Sequence, residues 1–177
     1  MKKLWDNPLF RFVVFAFSLY IFWFLIYDNW LQPNRTIDTW VIISIIDHVG
    51  LVLQLFGFES GSSSYYGPEI RTIGIVGSDE VWIGDSCNGI KLFALFTGFV
   101  LTYPGSIIKK LWYIPFGIIT IHILNVLRVV SLTIIVKYYP EALDFNHTYT
   151  FTILVYSYVF VLWYLWANKL SDSVQKG

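Results

Sequence analysis

The sequence predicts an all-α integral membrane protein, and three observations carry that expectation. Hydrophobic residues make up 56% of the 177 residues and charged residues only 14%, where a soluble domain carries about a quarter charged residues. The few charges are clustered, so long uncharged stretches separate them. Aromatic residues form 20% of the chain, with 8 Trp and 12 Tyr; such side chains suit the two membrane–water boundaries, where an apolar ring carries a polar tip. The formal net charge is zero, which points neither to nucleic acid nor to a polybasic lipid-binding patch. One domain, residues 1–177, is expected at this length.

Four stretches satisfy the need for ~20 mostly apolar helical residues per crossing. They are residues 10–27, 87–103, 111–136 and 148–167. The charged start of the chain resembles a signal peptide. The run that follows is bulky and aromatic with no small-residue cleavage site, so it reads as a retained first span.

A fifth stretch, residues 40–58, is apolar at its ends but holds Asp47 and His48 at its middle, where lipid burial costs most. Positive charge decides its placement. Lys2, Lys3 and Arg11 precede the first span, Lys109 and Lys110 separate the second and third, and Lys169 and Lys176 follow the last. With four spans all these groups face the cytoplasm, together with both termini. A fifth crossing would put the Lys pair and the tail outside. Residues 40–58 are therefore expected to lie in the outer interface or to re-enter. Outside the membrane, the turn-rich stretch 61–69 reads as a loop, and residues 71–83 read as a small β-hairpin around Gly77-Ser78-Asp79-Glu80.

The chain has one cysteine, which rules out an internal disulfide, a thiolate metal cluster and the thiol-relay oxidoreductases that need cysteine pairs. Cys87 lies in Gly84-Asp85-Ser86-Cys87-Asn88-Gly89-Ile90-Lys91, where a polar segment meets a membrane helix. Ser86 or Asp85 can cap that helix. In its first turn a thiol meets the positive end of the helix dipole, and Lys91, four residues on, adds positive charge on the same face. Both favour the thiolate, the nucleophilic form. Gly89 permits close approach of another backbone.

Arg128 lies eighteen residues beyond Lys110, roughly 27 Å along a helix, within the outer part of the hydrocarbon, where its charge needs a partner. Asn125 and His122 precede it at steps of three, a polar stripe that should face protein or a wet cavity. His147 opens the last span. Cys87, Arg128 and His147 thus come from three helices yet belong near one membrane face. His122 is the competing histidine, roughly 9 Å deeper by helical rise, and is expected to make a buried interhelical hydrogen bond. Asp47 and His48 suit an interfacial structural role.

The ordered residues Cys87-Asn88-Gly89-Ile90-Lys91, Asn125-x-x-Arg128 and His147 resemble the exosortase/archaeosortase family, specifically its compact bacterial exosortases. The likeness covers residues 87 to about 166, nearly half the chain. It implies a membrane-embedded cysteine transpeptidase or protease with Cys87, Arg128 and His147 as catalytic residues. Asn88, Gly89, Lys91 and Asn125 would support the site or bind substrate. Substrates would be exported proteins whose C-terminal sorting signal joins a hydrophobic helix to a basic tail. The acceptor would be water or an amine on a lipid or glycan, and the setting the bacterial inner membrane with the site on its outer side. No cofactor signature and no metal-ligand cluster are present in the sequence. The competing reading from another class is a non-catalytic scaffold of an envelope secretion complex, which explains the composition but not an arginine deep in the outer leaflet.

Overall fold

The structure, a computed structural model, describes residues 8–62, 70–85 and 87–171. The expected cap Ser86, most of the 61–69 loop, and the terminal Lys2, Lys3 and Lys176 lie outside these residues. Five helices dominate: α1, Pro8–Ile26; α2, Thr36–Leu55; α3, Ile90–Thr102; α4, Ile107–Tyr138; and α5, Phe151–Leu165. Helix α1 continues through a widened turn, Tyr27–Leu31, and a final turn, Gln32–Asn34. Arg35, with φ 53°, then takes the left-handed conformation and redirects the chain into α2.

Four helical stretches are long and apolar enough to cross a bilayer: Phe10–Asn34, Thr36–Leu55, Ile107–Tyr138 and Pro140–Leu170. One of these, Thr36–Leu55, is not among the four stretches expected to span. Helix α3 has only 13 residues, about 20 Å of rise, so the expected second span, 87–103, is shorter than a ~30 Å hydrocarbon core. Thr36–Leu55 takes its place among the long helices.

Contacts nonetheless hold α2 to one end of the bundle. Near its start, Asp38 accepts hydrogen bonds from Tyr27 and from Asn88, the residue after Cys87. Just past its end, Phe58 lies under the Lys137 ammonium at the close of α4. Between them, Val41, Ile42, Ile45, Val49 and Leu53 share one buried cluster with Val126, Val129 and Val130 of α4 and Ile73, Ile75 and Ile83 of the sheet. Helix α2 therefore runs obliquely over the half of α4 nearer Lys137. Both its ends thus contact the Cys87 and Lys137 end of the bundle, although the helix is long and apolar enough to cross a bilayer.

The hairpin pairs β2, Thr72–Ile75, with β3, Val81–Trp82, antiparallel in the register Thr72↔Trp82 and Ile73↔Val81. Gly77 supplies the positive φ, 83°, of its turn. A third strand that the sequence did not suggest, β1, Ser60–Gly61, pairs with the other edge of β2. The sheet order is β1-β2-β3. Val81 packs on Leu132 and Val136, seating the sheet on the same end of α4.

The opposite end is aromatic. Tyr113 stacks on Trp166 and Phe99 on Trp163, while Phe12 meets Phe99 and Tyr103 edge-on. The buried Tyr113 hydroxyl donates to the Leu162 carbonyl at 2.8 Å. Between the ends, α3 and α4 approach closely at Gly117, where a Cβ would lie 2.1 Å from the fully buried Phe96 ring. Gly117→Ala should therefore overpack this crossing at a cost of about 2–3 kcal/mol. The expected reading is a fall of roughly 4–12 °C in the melting midpoint of the detergent-solubilised protein. An unchanged midpoint would show that the crossing is slack.

Candidate active site

The cysteine sits on a loop rather than in a helix. The N-cap of α3 is Gly89, at φ 85°, and the first helical residue is Ile90. The expectation of Cys87 in the first helical turn is thus corrected. The left-handed glycine would strain any L side chain there, and it turns the chain before the helix can form. Asn88 closes this turn, its Oδ1 accepting the Ile90 N–H at 2.9 Å. Asn88 therefore satisfies the first helical N–H from the position before the N-cap. Asp85 is instead the ion-pair partner of the buried Arg71 at the start of the hairpin. The Cys87 N–H donates to the Gly84 carbonyl at 2.9 Å.

Three side chains meet at this loop. The Cys87 sulfur lies 3.2 Å from His147 Nε2, and the Arg128 Nη2 approaches the same sulfur at 3.9 Å. Arg128 projects from α4, and His147 belongs to the widened turn Asn146–Thr150 that precedes α5. One turn back along α4, the buried Asn125 donates its Nδ2 hydrogen to the Cys87 carbonyl at 2.9 Å. The cysteine is thus tethered at its backbone by Asn125 and faced at its sulfur by a ring nitrogen and a guanidinium. A thiol at 3.2 Å from an imidazole nitrogen can pass its proton directly. The guanidinium carries positive charge and stabilises negative charge nearby.

The other supporting residues differ from expectation in detail. Lys91 holds its ammonium 5.4 Å over the Tyr27 ring of α1, a cation–π contact, because α3 turns this face toward α1. What lies close to Gly89 is not another backbone. A Cβ there would meet the Phe93 ring at 3.4 Å and the Asn125 amide at 3.6 Å. Asn88, wholly buried, spends both ends of its amide inside the protein, on Asp38 and on the Ile90 N–H.

His122 faces elsewhere. Its Nε2 lies 3.2 Å from Nδ1 of His48, with the rings edge-on at 5.2 Å. The pair forms an interhelical bridge between α4 and α2, as expected of His122, but on an exposed face rather than buried, because His48 lies on the open side of α2. Among the described residues no group of three or more His, Cys, Asp or Glu side chains is placed to hold a metal ion.

Asp38 and Tyr27 escaped the sequence reading although both reach the cysteine loop. The signal was weak: a lone carboxylate near a helix start reads as ordinary N-terminal charge. Only the fold brings it under residue 88.

A family model described as transmembrane exosortase matches residues 4–166. No curated protein and no solved structure matches the chain.

Proposed function

This chain belongs to the transmembrane exosortase family, and from that premise we propose that it is a cysteine transpeptidase or protease acting on the C-terminal sorting signals of exported proteins. The observation that carries the reading is the meeting of Cys87, His147 and Arg128 at 3.2 and 3.9 Å from three separate segments of the chain. A scaffold has no need to converge a thiol, an imidazole and a membrane-depth guanidinium on one point.

Cys87 passes its proton to His147 Nε2, and the sulfur attacks the scissile carbonyl. Arg128 stabilises the oxyanion that develops as the carbon becomes tetrahedral, a term worth roughly 3 kcal/mol in a dry site. As the C–N bond breaks, the imidazolium gives its proton to the departing amine, leaving a thioester on Cys87. In the second half, water or an amine on a lipid or glycan attacks that thioester. His147 takes the acceptor's proton and returns it to the sulfur.

Charge distribution supports an extracytoplasmic site in the bacterial inner membrane. The Lys110 ammonium donates to the Leu101 carbonyl near the close of α3, at the end of the bundle away from Cys87. Arg11 adjoins Phe12, which packs on Tyr103 at that same end, and Lys169 follows the Trp166 that stacks on Tyr113. By the positive-inside rule this end is cytoplasmic.

The test uses a peptide that joins a short extended segment to a hydrophobic helix and a basic tail. Acid quenching during turnover should trap an acyl adduct on Cys87, visible in the intact mass. Cleavage with no adduct, under conditions where attack of the acceptor is slow, overturns the covalent route. For His147→Ala the expected loss is about 10²–10⁴-fold in rate, with one limb of the pH–rate profile flattened. A profile of unchanged shape removes His147 from proton transfer.

A further inference from the structure

A nucleophile on a loop needs holding from outside the loop. Helical residues inherit their position from the ladder of backbone bonds, whereas Cys87 precedes its helix by three residues and depends on side chains around it. Asn125 secures the Cys87 carbonyl from α4. The next residue, Asn88, is secured from the opposite direction by Asp38 of α2, whose Oδ1 accepts the Asn88 amide. That same Oδ1 accepts the hydroxyl of Tyr27, the first residue of the widened turn after α1, at 2.8 Å. Asp38 is 1% exposed, Asn88 0% and Tyr27 2%, so the three polar groups form a network sealed in the junction of α1, α2 and α3. A carboxylate is costly to bury, and a hydrophobic residue of like size would serve packing better. Its presence at this junction points to a task other than stability.

We infer that Asp38 is a positioning residue for the nucleophile, acting through Asn88 to hold the Cys87 loop against Arg128 and His147. The inference rests on the reading of Cys87 as nucleophile. What Asp38 supplies is an acceptor of fixed place: with Oδ1 anchored by Tyr27, the Asn88 amide has one orientation, its Oδ1 is left to the Ile90 N–H, and the turn through Gly89 closes. Without that acceptor, Asn88 loses its anchor in a buried site and the turn relaxes. The sulfur then leaves the short reach of the imidazole, and misplacements of about 1 Å cost on the order of 10²-fold in rate.

The single cysteine makes the test clean, because iodoacetamide has one thiol to alkylate in the whole chain. With the full-length protein in detergent, Asp38→Ala should alkylate about tenfold more slowly than wild type, a tenth of the full catalytic penalty since only the sulfur's local setting is read. Asp38→Asn keeps an oxygen acceptor for both donors and should react within about twofold of wild type. In a background that lacks both partners of the sulfur, Arg128→Ala with His147→Ala, Asp38→Ala should slow the reaction no further, because the two groups whose reach it sets are gone. A merely structural carboxylate would slow alkylation in both backgrounds alike. Asp38→Ala reacting like wild type overturns the inference, and so does equal slowing by Asp38→Asn, which would assign the effect to charge. Where Asp38→Ala does not fold, Asn88→Ala decides: tenfold slowing supports the linkage, and wild-type reactivity overturns it. Because alkylation needs no substrate, these results stand apart from the proposed activity. Peptide cleavage that persists in Cys87→Ala would remove that activity while leaving the alkylation results to judge Asp38.

Discussion

Cys87→Ala should abolish cleavage of the sorting signal, by about 10⁶-fold if it behaves as other enzymes do when their nucleophile is removed, while the protein accumulates in the membrane and melts as wild type. Both halves of that expectation follow from the geometry. The loop is held through its backbone, by the Cys87 N–H on the Gly84 carbonyl and the Asn125 amide on the Cys87 carbonyl, and alanine keeps both bonds. The sulfur is only partly buried, so its loss removes little packing. Cys87→Ser should be nearly as inactive, because a hydroxyl beside the same imidazole yields its proton far less readily than a thiol. The measurement is the mass of a co-expressed signal-bearing substrate recovered from membranes. Processing by Cys87→Ala at more than about one per cent of the wild-type rate is incompatible with a thioester route, which would set the loss near 10⁶-fold.

Arg128→Ala should lose about 10²–10³-fold in kcat, the usual consequence of deleting one oxyanion donor, with stability unchanged or raised. The sign of the stability effect is the informative part. Arg128 lies ten residues before the end of α4, about 15 Å of helix, and its charge is expensive at that depth. Alanine removes the expense. An arginine that served to glue helices would behave in the opposite way, lowering the melting midpoint and activity together. Arg128→Lys keeps a charge but loses the planar fork of donors, and should fall between wild type and alanine in kcat. The two readouts, turnover and melting, can be taken on one preparation.

Much of this architecture was legible in the sequence because lipid leaves few options. A chain so apolar, with its charges gathered at helix ends, has to build helices, and the Gly77 turn between β-leaning runs has to be a hairpin. The order of Cys87, Arg128 and His147 along successive apolar stretches was equally visible, since a guanidinium in such a stretch stands out. What hydropathy could not supply was direction. Residues 36–55 carry enough apolar surface to cross a bilayer, and only their contacts with Tyr27, the hairpin and Lys137 keep them at one end. The start of α3 was misplaced for a related reason: Asn88 and Gly89 can equally open a helix or precede one, and φ at Gly89 decides between the two. Asp38 was invisible as a partner because its meaning depends on Asn88, fifty residues away in sequence.

The shortness of α3 has a consequence for the setting in which this protein works. The guanidinium rides on α4, while sulfur and imidazole sit on the segments that open α3 and α5, so their separations depend on how far these helices of unequal length lean. Membrane helices adjust lean to the thickness of the surrounding lipid, and a 13-residue rod has less freedom to do so than the 32-residue rod beside it. On the proposed mechanism, a bilayer that tilts α4 alone should slide Arg128 along the sulfur, so the turnover of the reconstituted protein should vary with lipid chain length.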